Sequence, residues 1–579
     1  MGISEQNIGH ITSRNASNNT SNDMPHKPLP IGVENFEEMI KKNYYYVDKS
    51  LFIKELIDKK GKVNLFTRPR RFGKTLLLSM LKSYFDTEGD AKSFTGLKIM
   101  DAGEWYTSHM NRYRVISLTL KSAKQMKLED SMKMLRTEIA GQFSRFSYIV
   151  ESGKLSDTDI EKYNKICSEK ADYSEYKNSL KFLCECIYKA TGTKTIMLLD
   201  EYDVPLENAY FNGYYNEMID FIRSLFESAF KTNDYLEFAV ISGCLRISKE
   251  SIFTGLNNLK INSILSDNYG EFFGFTDDEV ESILSYYHLE SKYDEVKEWY
   301  NGYTFGSSNV YNPWSSILYV DDHVANINRL PISYWANTSS NSIVKDLIER
   351  ADDMAKSEIE KLIAGGTIEK PVHEDITYGE IYESQDNLWN FLFFTGYLKK
   401  VSEWFDDSND RIMIKMCIPN REVRYIYREK ILTWFEKKVK ASDRTELFRG
   451  LLCFDAKTFE NEIGKLLRQS ISFNDYYENF YHGFLVGILT GLEGCIVKSN
   501  REGGIGRSDI YLKPLDMTKP GIVIEIKVAD SMHNIGEKAK EALKQIIDKR
   551  YEEELLDEGY LETRRIGVAF FKKNCRVAV

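Results

Sequence analysis

The stretch Val63–Met80 reads VNLFTRPRRFGKTLLLSM, and it decides how the N-terminal half of the chain folds. A short apolar strand runs into a loop, and Gly73-Lys74-Thr75 then opens a run of helix-forming residues. In such a layout the backbone N–H groups at the helix N-terminus cradle an anion, the lysine reaches the terminal phosphates, and the hydroxyl ligates Mg²⁺. The sequence therefore predicts a phosphate-binding loop in which Gly73, Lys74 and Thr75 contact a nucleotide and Thr75 also contacts the metal.

The loop departs from the usual glycine-rich pattern. The position five residues before Gly73, where a second glycine is normal, holds Arg68, and the loop also carries Pro69, Arg70 and Arg71. A plain strand-to-helix turn with one glycine is the alternative interpretation of this segment. If the loop is intact, we expect Arg70 and Arg71 to stabilise phosphate charge from within the same chain.

A P-loop site also needs an acidic residue at the end of a neighbouring strand, to hold the magnesium ion. The apolar run 195–199 ends in Asp200-Glu201 and supplies it. Asp200 is the predicted metal residue, and Glu201 is placed to polarise an attacking water as a general base. A solvated strand end is the alternative, but the pairing with Lys74 favours nucleotide binding.

The region 28–270 alternates short apolar, β-branched runs with helical stretches, which predicts a parallel sheet covered by helices on both faces. Strands are expected at 63–66, 115–120, 195–199 and 238–242. The last of these leads into Ser242 and Arg246, which are candidates to sense the terminal phosphate of the nucleotide. An ordinary surface ion pair is an equally open interpretation of Arg246.

The length of 579 residues exceeds a single hydrophobic core. The sequence divides into an Asn- and Ser-rich disordered tail (1–27), the P-loop region (28–270), a helical lid or winged-helix region (271–443) and a third region (444–579). The formal net charge of −10 excludes a generic polyanion binder, so any nucleic-acid surface is local or uses metal ions.

The chain has no run of 18 apolar residues and no apolar leader segment, and its eight cysteines are scattered. These features predict no membrane partner, reduced thiols and a cytoplasmic location.

The C-terminal region contains EGGIGRSDIYLKPLDMTKPGIVIEIK at 502–527. Two β-prone runs, 508–512 and 521–528, flank a Lys-Pro-Gly turn and predict a hairpin. Glu525 and Lys527 share one face of the second strand, and Asp509 lies near the start of the first. Two carboxylates and a lysine at one point can hold Mg²⁺ or Mn²⁺ and orient or deprotonate a water. A strand pair with a charged outer face is the alternative.

These segments together carry a family resemblance. FTRPRRFGKT (66–75), LLDEYD (198–203), GCLRISKESIFTGLNNL (243–259), WYNGYTFG (299–306) and GRSDIYL (506–512) are among the matching motifs. The chain after residue 27 resembles the bacterial AAA-ATPase-like family, whose members usually end in a nuclease-like domain of the PD-(D/E)XK superfamily. The resemblance implies an α/β fold, ATP as cofactor at Lys74, Thr75, Asp200 and Glu201, and Arg68 as a normal feature of the loop.

The same resemblance implies further residues of the nuclease-like site. A helix glutamate, here Glu478, often completes the metal site of the superfamily, and Gln545 matches a helix residue that faces it. Glu502 is a second acidic candidate. His482 is interpreted as a core histidine, with substrate contact as its alternative.

The middle region contains the aromatic segments Trp299–Tyr303 and Tyr311–Trp314. Aromatic residues of this kind can stack on bases, but no arginine or lysine cluster accompanies them, so packing of a lid onto the ATP module is the better interpretation. Trp335, Trp389 and Trp404 are also interpreted as core residues.

Two functional hypotheses follow. The first is an ATP-regulated, metal-dependent nuclease with catalytic Glu201, Asp509, Glu525, Lys527 and Gln545. The second is a nucleotide-dependent switch whose C-terminal domain only binds nucleic acid or a protein partner. Candidate partners are DNA or RNA and, in a homo-oligomer, further copies of the chain.

Overall fold

The computed structural model describes residues 26–245, 252–253, 256–337, 352–374, 384–429, 443–469, 478–490, 492–499 and 508–579. Arg246 and Glu502 lie outside the described residues, as does the side chain of Glu478, which begins the helix Glu478–Leu489. Residues 1–25 of the predicted tail lie outside the described residues, whereas His26 packs on Tyr286 and the backbone N–H of Lys27 donates to the Tyr286 hydroxyl. Among the described residues, no helix combines the length and apolar character that crossing a bilayer requires.

The N-terminal region forms the predicted parallel sheet, in the order β2-β3-β4-β1-β5. Its strands are β1 (Val63–Thr67), β2 (Arg114–Thr119), β3 (Thr195–Asp200), β4 (Leu236–Gly243) and β5 (Leu259–Asn262). Both central strands that carry site residues, β1 and β3, are buried along their whole length, as expected for a parallel sheet covered on both faces. The short strand β5 is an addition that the sequence interpretation missed.

Helices cover this sheet on both sides. Their bounds are Phe36–Lys41, Leu51–Lys59, Lys74–Phe85, Glu104–Thr107, Leu128–Arg145, Asp157–Cys167, Tyr173–Lys177, Ser179–Thr191, Val204–Asn212 and Tyr215–Phe230.

The middle region is mainly helical, as predicted, and carries two small antiparallel sheets. Its helices are Asp277–Tyr286, Tyr293–Tyr300, Pro313–Ala325, Asp353–Ile363, Gln385–Phe394 and 421–429, and its strands are β6 (Tyr303–Phe305), β7 (Ser308–Val310), β8 (Ile368–Pro371), β9 (Lys399–Asp406) and β10 (Arg411–Cys417).

The tryptophan predictions for this region have mixed outcomes. Trp335 and Trp389 are fully buried core residues, as predicted. The prediction for Trp404 is wrong, because this residue lies on the edge strand β9 of the sheet β8-β10-β9 and is 39% exposed.

The buried carboxyl group of Glu422 gives the middle region a testable pH dependence. Its oxygens accept hydrogen bonds from the Ser315 hydroxyl and the backbone N–H of Trp335, at 2.9 Å each, yet burial raises its pKa to about 7. The folded state therefore keeps a proton that the unfolded chain releases at a lower pH. Stability contributed by this group is lost as the pH rises from about 4.5 through 7.

We expect Glu422→Gln to remove this loss, since a neutral amide can keep both partners. The variant should be more stable than the parent at pH 8 by roughly 3 kcal/mol and show no such gain at pH 5. Calorimetric melts at both pH values measure this difference. The tyrosines that face Glu422 (Tyr300, Tyr303 and Tyr334) have raised pKa values and stay neutral across the window. An equal gain at both pH values would contradict the prediction.

The C-terminal region has its own core and a five-stranded sheet in the order β11-β12-β13-β14-β15. The strands are β11 (Cys495–Ser499), β12 (Ile510–Pro514), β13 (Gly521–Val528), β14 (Thr563–Phe571) and β15 (Asn574–Ala578), and the helices are Thr445–Leu452, Ala456–Gln469, Glu478–Leu489, Ile535–Asp548 and Glu553–Asp557. The predicted β12–β13 hairpin is antiparallel, whereas β13 and β14 run parallel. The sequence interpretation ended the chain on β14 and missed β15.

Candidate functional sites

The loop between β1 and the helix Lys74–Phe85 closes around the side chain of Lys74. Gly73 adopts a φ of 80°, a conformation that glycine tolerates best, and lets the chain turn into the helix. The buried Lys74 ammonium donates to the backbone carbonyl oxygens of Arg68 and Pro69, at 2.9 Å each. The lysine is therefore anchored where the loop and the helix N-terminus meet, which is where a phosphate-binding lysine must start.

Two sequence-predicted residues, Thr75 and Ser242, contact the carboxylate of Asp200 at the end of β3. The Thr75 hydroxyl donates to Asp200 Oδ2 at 2.7 Å, and the Ser242 hydroxyl at the end of β4 donates to Asp200 Oδ1. A hydroxyl beside a carboxylate is the oxygen pair that Mg²⁺ takes in P-loop proteins. Thr75 and Asp200 therefore fit the predicted metal ion by their chemistry and their proximity.

Glu201 follows Asp200 in an unusual backbone conformation. Its φ of 53° is left-handed, which is uncommon for a residue other than glycine and is often found at functional sites. The residue lines a cavity beside Lys74 and Thr75. Burial, followed by the neighbouring Asp200, raises the pKa of the Glu201 carboxyl. Its position is the one that a water-polarising residue would need.

Arg68 is a structural residue of the loop. Its guanidinium is fully buried and donates to the carbonyl oxygens of Thr67 and Asn262, at 2.9 and 2.7 Å. It also lies against the rings of Phe273 and Phe305, and burial lowers its pKa to about 9. Arg68 thus fastens β1 to β5 and to the middle region, which gives a physical reason for an arginine where a glycine is usual.

Arg70 and Arg71 both line the cavity at the loop. Arg70 forms an ion pair with the buried Glu207, whose pKa is raised by burial. The Arg71 guanidinium lies over the ring of Trp314, 4.3 Å from its centroid. Both arginines are therefore next to the place where the phosphates are expected.

The cavity has a volume of about 320 Å³ and runs from the loop to the middle region. Its loop end carries Lys74, Thr75 and Glu201 together with Lys121 and Lys124. The remaining wall is mostly apolar and is lined by Leu29, Val33, Tyr45, Val47, Met80, Phe272, Phe275, Ile283, Pro313, Trp314 and Ile317. The lining also includes Glu34 and Lys49, so the cavity combines charged groups with a mostly apolar remainder, which suits an amphipathic ligand.

Sequence reasoning missed several residues of this site. Asp203 was available in the same LLDEYD motif, and its Oδ2 accepts from the backbone N–H groups of Cys244 and Leu245, at 2.8 and 3.2 Å. It thereby fixes the chain that follows β4. No motif in the sequence around Lys121 and Lys124 marks them as site residues. They come near the loop only because β2, which precedes them, pairs with β3.

The C-terminal carboxylates meet as the hairpin predicted. Asp509 precedes β12, and its Oδ2 accepts from the backbone N–H of Ile526 on β13 at 2.9 Å. Glu525 Oε2 accepts from the Asp509 N–H at 3.3 Å and from the Ser508 hydroxyl at 3.2 Å. The Glu525 side chain is buried, and burial, followed by the charge of Asp509, raises its pKa to about 7.

Lys527 and Gln545 complete this cluster. Lys527 Nζ lies 4.0 Å from Glu525 Oε1, and the Gln545 amide donates to the same oxygen from the helix Ile535–Asp548. The buried His482 contacts the backbone carbonyl of Asp509 at 3.0 Å and the Ser499 hydroxyl at 3.2 Å. This agrees with its interpretation as a core histidine.

The donor chemistry at this site fits a divalent cation. Two carboxylates share one small volume, and one of them is buried with only a distant ammonium to offset its charge. Within the described ranges no group of three or more His, Cys, Asp and Glu side chains is assembled for a metal. Asp509 and Glu525 would therefore hold the ion together with backbone or water oxygens, and Glu478 stays a prediction.

We expect Gln545→Ala to weaken this site by releasing the Glu525 carboxylate that the amide orients. Loss of a residue that orients a metal ligand commonly costs about 10- to 100-fold in metal affinity or activity. Titration of the full chain with Mn²⁺ measures the effect. Lys544→Ala, at the exposed neighbouring position of the same helix, is the matched control and should leave the affinity unchanged. An unchanged affinity in Gln545→Ala would contradict the prediction.

The parallel sheet, the loop and the acidic strand end define the N-terminal part as a P-loop nucleotide-binding type of domain, and the C-terminal sheet is of a nuclease type. Residues 30–253 match the family described as Predicted AAA-ATPase, an AAA-ATPase-like domain, and residues 476–579 match the PD-(D/E)XK nuclease superfamily. The chain thus combines an AAA-ATPase-like domain with a PD-(D/E)XK nuclease-superfamily domain, and both expectations from the sequence are confirmed.

The name of one similar protein states no activity. It is an uncharacterized protein in the vnfD 5' region of Azotobacter chroococcum mcd 1, 29% identical over 330 residues. The match covers 56% of this chain and 57% of the relative, so the chain spans a little over half of that protein's length.

Proposed function

We propose that the chain couples nucleotide binding in the AAA-ATPase-like domain to metal-dependent cleavage of a nucleic-acid phosphodiester in the PD-(D/E)XK domain. The observation that carries the proposal is the convergence of Asp509, Glu525, Lys527 and Gln545 on one oxygen cluster. A surface that only binds nucleic acid gains nothing from two adjacent carboxylates, because they repel phosphate.

In this proposal each residue of the C-terminal site has one task. Asp509 and Glu525 would hold Mg²⁺ or Mn²⁺, which when bound polarises the phosphodiester and lowers the pKa of a water. Lys527 orients the attacking water through its N–H groups, and the proton of that water passes to bulk solvent. Gln545 fixes the orientation of the Glu525 carboxylate.

The nucleotide half uses ATP with Mg²⁺. Lys74 exchanges its two carbonyl partners for phosphate oxygens, and Thr75 and Asp200 would hold the metal ion. Glu201 orients the water that attacks the terminal phosphate, and Arg71 offsets the phosphate charge.

The loop has a contact route to the rest of the chain. Phe72 packs on Tyr303 and Phe305, at ring distances of 4.9 and 5.1 Å. Gly396 lies so close to Pro69 that an added methyl group would sit 2.9 Å from the proline ring. A nucleotide that reshapes the loop must therefore also move the middle region.

One experiment tests both halves. The full chain is incubated with single- and double-stranded DNA and with RNA, in Mg²⁺ or Mn²⁺, with and without ATP. We expect cleavage that depends on ATP, loses that dependence in Lys74→Ala and disappears in Glu525→Ala. Binding of nucleic acid without cleavage under all conditions would overturn the nuclease half. Cleavage that ignores both ATP and Lys74→Ala would overturn the coupling.

A further inference from the structure

The cavity brings the phosphate loop against a part of the chain that neither family match includes. Trp314, Pro313 and Ile317 belong to the helix Pro313–Ala325, outside both 30–253 and 476–579. These residues form an apolar part of the cavity wall, and Trp314 lies against Arg71 of the loop. The middle region is thus more than a support for the loop, because it supplies one wall of the ligand cavity.

Trp314 is held firmly at this wall. It sits at the start of its helix, where the side chain of the fully buried Asn312 accepts hydrogen bonds from the backbone N–H groups of Trp314 and Ser315, at 3.0 and 3.4 Å. Such a side-chain cap, followed by Pro313 at the first helical position, fixes the entry of the chain into the helix. The backbone that carries the indole is therefore fixed in position, and Trp314 is only partly buried.

The Arg71 guanidinium covers one face of the Trp314 ring, and its surroundings allow it to move away from that ring. Its guanidinium lies 4.3 Å from the Trp314 ring centroid, its side chain is exposed, and its φ of 71° is left-handed. Among the described residues no carboxylate lies within ion-pair distance of Arg71, unlike Arg70, which is paired with Glu207. A cation held only by an aromatic face exchanges that contact readily for a phosphate.

We propose that Trp314 is the stacking platform for the base of the bound nucleotide, and that the base takes the ring face that Arg71 covers while Arg71 turns to the phosphates. The rest of the apolar wall, including Tyr45 and Phe275, then faces the base and ribose. The ligand is a nucleoside triphosphate whose planar base reaches the middle region. A nucleotide bound at the loop would thereby contact the helix Pro313–Ala325, which lies outside the AAA-ATPase-like match.

This proposal rests on the proposed function in one respect, that Lys74 binds a triphosphate. Its test separates the base from the phosphates by comparing two probes, ATP and inorganic triphosphate, each titrated with Mg²⁺ into the full chain. Stacking on an aromatic side chain is worth roughly 5- to 150-fold in affinity when it is removed by alanine substitution. We expect Trp314→Ala to lose this factor for ATP and none for inorganic triphosphate, and Trp314→Phe to restore most of it.

Two further variants serve as references. Lys74→Ala should weaken both probes, and Trp105→Ala, at a 60% exposed tryptophan outside the cavity, should weaken neither. If Trp314→Ala weakens both probes equally, or neither, the stacking proposal is overturned while triphosphate binding at Lys74 stands. If the parent chain binds neither probe, the proposed function fails and this proposal fails with it.

The proposed movement of Arg71 from the Trp314 ring to the phosphates can be measured separately. Arg71→Ala should lower the affinity for inorganic triphosphate, because a phosphate partner is lost, and should raise the ratio of ATP affinity to triphosphate affinity, because the base no longer displaces a guanidinium. An unchanged triphosphate affinity in this variant would overturn the role given to Arg71.

Discussion

Lys527→Ala is expected to lower the rate of phosphodiester cleavage by about 10²- to 10³-fold and to leave Mn²⁺ binding intact. The reason is that the carboxylates and Lys527 have different roles: the carboxylates hold the metal, and the lysine acts on the water. Lys527 is a cation 4.0 Å from Glu525 Oε1, so it cannot be a metal ligand, whereas it can reach a water between itself and the carboxylate. Removing it takes away the group that orients the attacking water, while both carboxylates remain.

The measurement is the single-turnover cleavage rate of whichever nucleic acid, DNA or RNA, the parent chain cleaves. A Mn²⁺ titration of the same preparation measures metal binding. Glu525→Gln is the contrasting variant, and it should lose metal binding and cleavage together because it removes a ligand charge. Lys544→Ala, an exposed lysine on the neighbouring helix, is the control for a general loss of positive charge. Loss of Mn²⁺ binding in Lys527→Ala would contradict the assigned role.

The parts of the two sites that could be predicted from the sequence are local. Residues 63–75 form the strand, the loop and the start of the helix in immediate succession. The loop geometry therefore depends on neighbouring residues and can be predicted from them. The same holds for the β12–β13 hairpin, where a six-residue connection and the two-residue period of a strand place Asp509 beside Glu525. In both cases the chemistry-bearing residues are joined by one turn of chain.

The remaining contacts could not be predicted, because they join elements that are distant in the sequence. The Arg70–Glu207 pair depends on how the helix Val204–Asn212 follows β3, and Trp314 meets Arg71 only after the middle region has folded. The sequence suggested that the aromatic segments pack on the ATP module, and the edge-to-face contact of Tyr303 with Phe72 agrees. It gave no sign that Trp314 lines the ligand cavity.

The burial of Arg68 shows why a rule about one position can mislead. A glycine at that position frees the backbone to approach the phosphates, and an arginine there suggests a damaged loop. In this fold the side chain turns away into the core, between Phe273 and Phe305, and the backbone carbonyl of Arg68 still faces Lys74. The substitution therefore keeps the loop geometry and adds a tie to the middle region.

Lys74→Ala should have the largest effect on nucleotide binding, with a loss of roughly 10²- to 10⁴-fold in ATP affinity. Charge-assisted hydrogen bonds are worth about 1.5–3 kcal/mol each, and the ammonium can direct two of them to phosphate oxygens. Alanine also leaves the carbonyl oxygens of Arg68 and Pro69 without their donor, which allows the loop to relax. Equilibrium titration of the full chain with ATP and Mg²⁺ measures the affinity.

The loop relaxation must be separated from the lost phosphate contact. Lys74→Met keeps most of the side-chain volume but removes the charge, so it should lose affinity to the same extent as Lys74→Ala if the charge is what matters. The melting temperature of each variant in the absence of nucleotide reports the structural cost, since Lys74 is buried. Lys82→Ala, in the last turn of the same helix and outside the cavity, is the matched control and should bind ATP as the parent does. Full ATP affinity in Lys74→Met would contradict the assignment of this lysine to the phosphates.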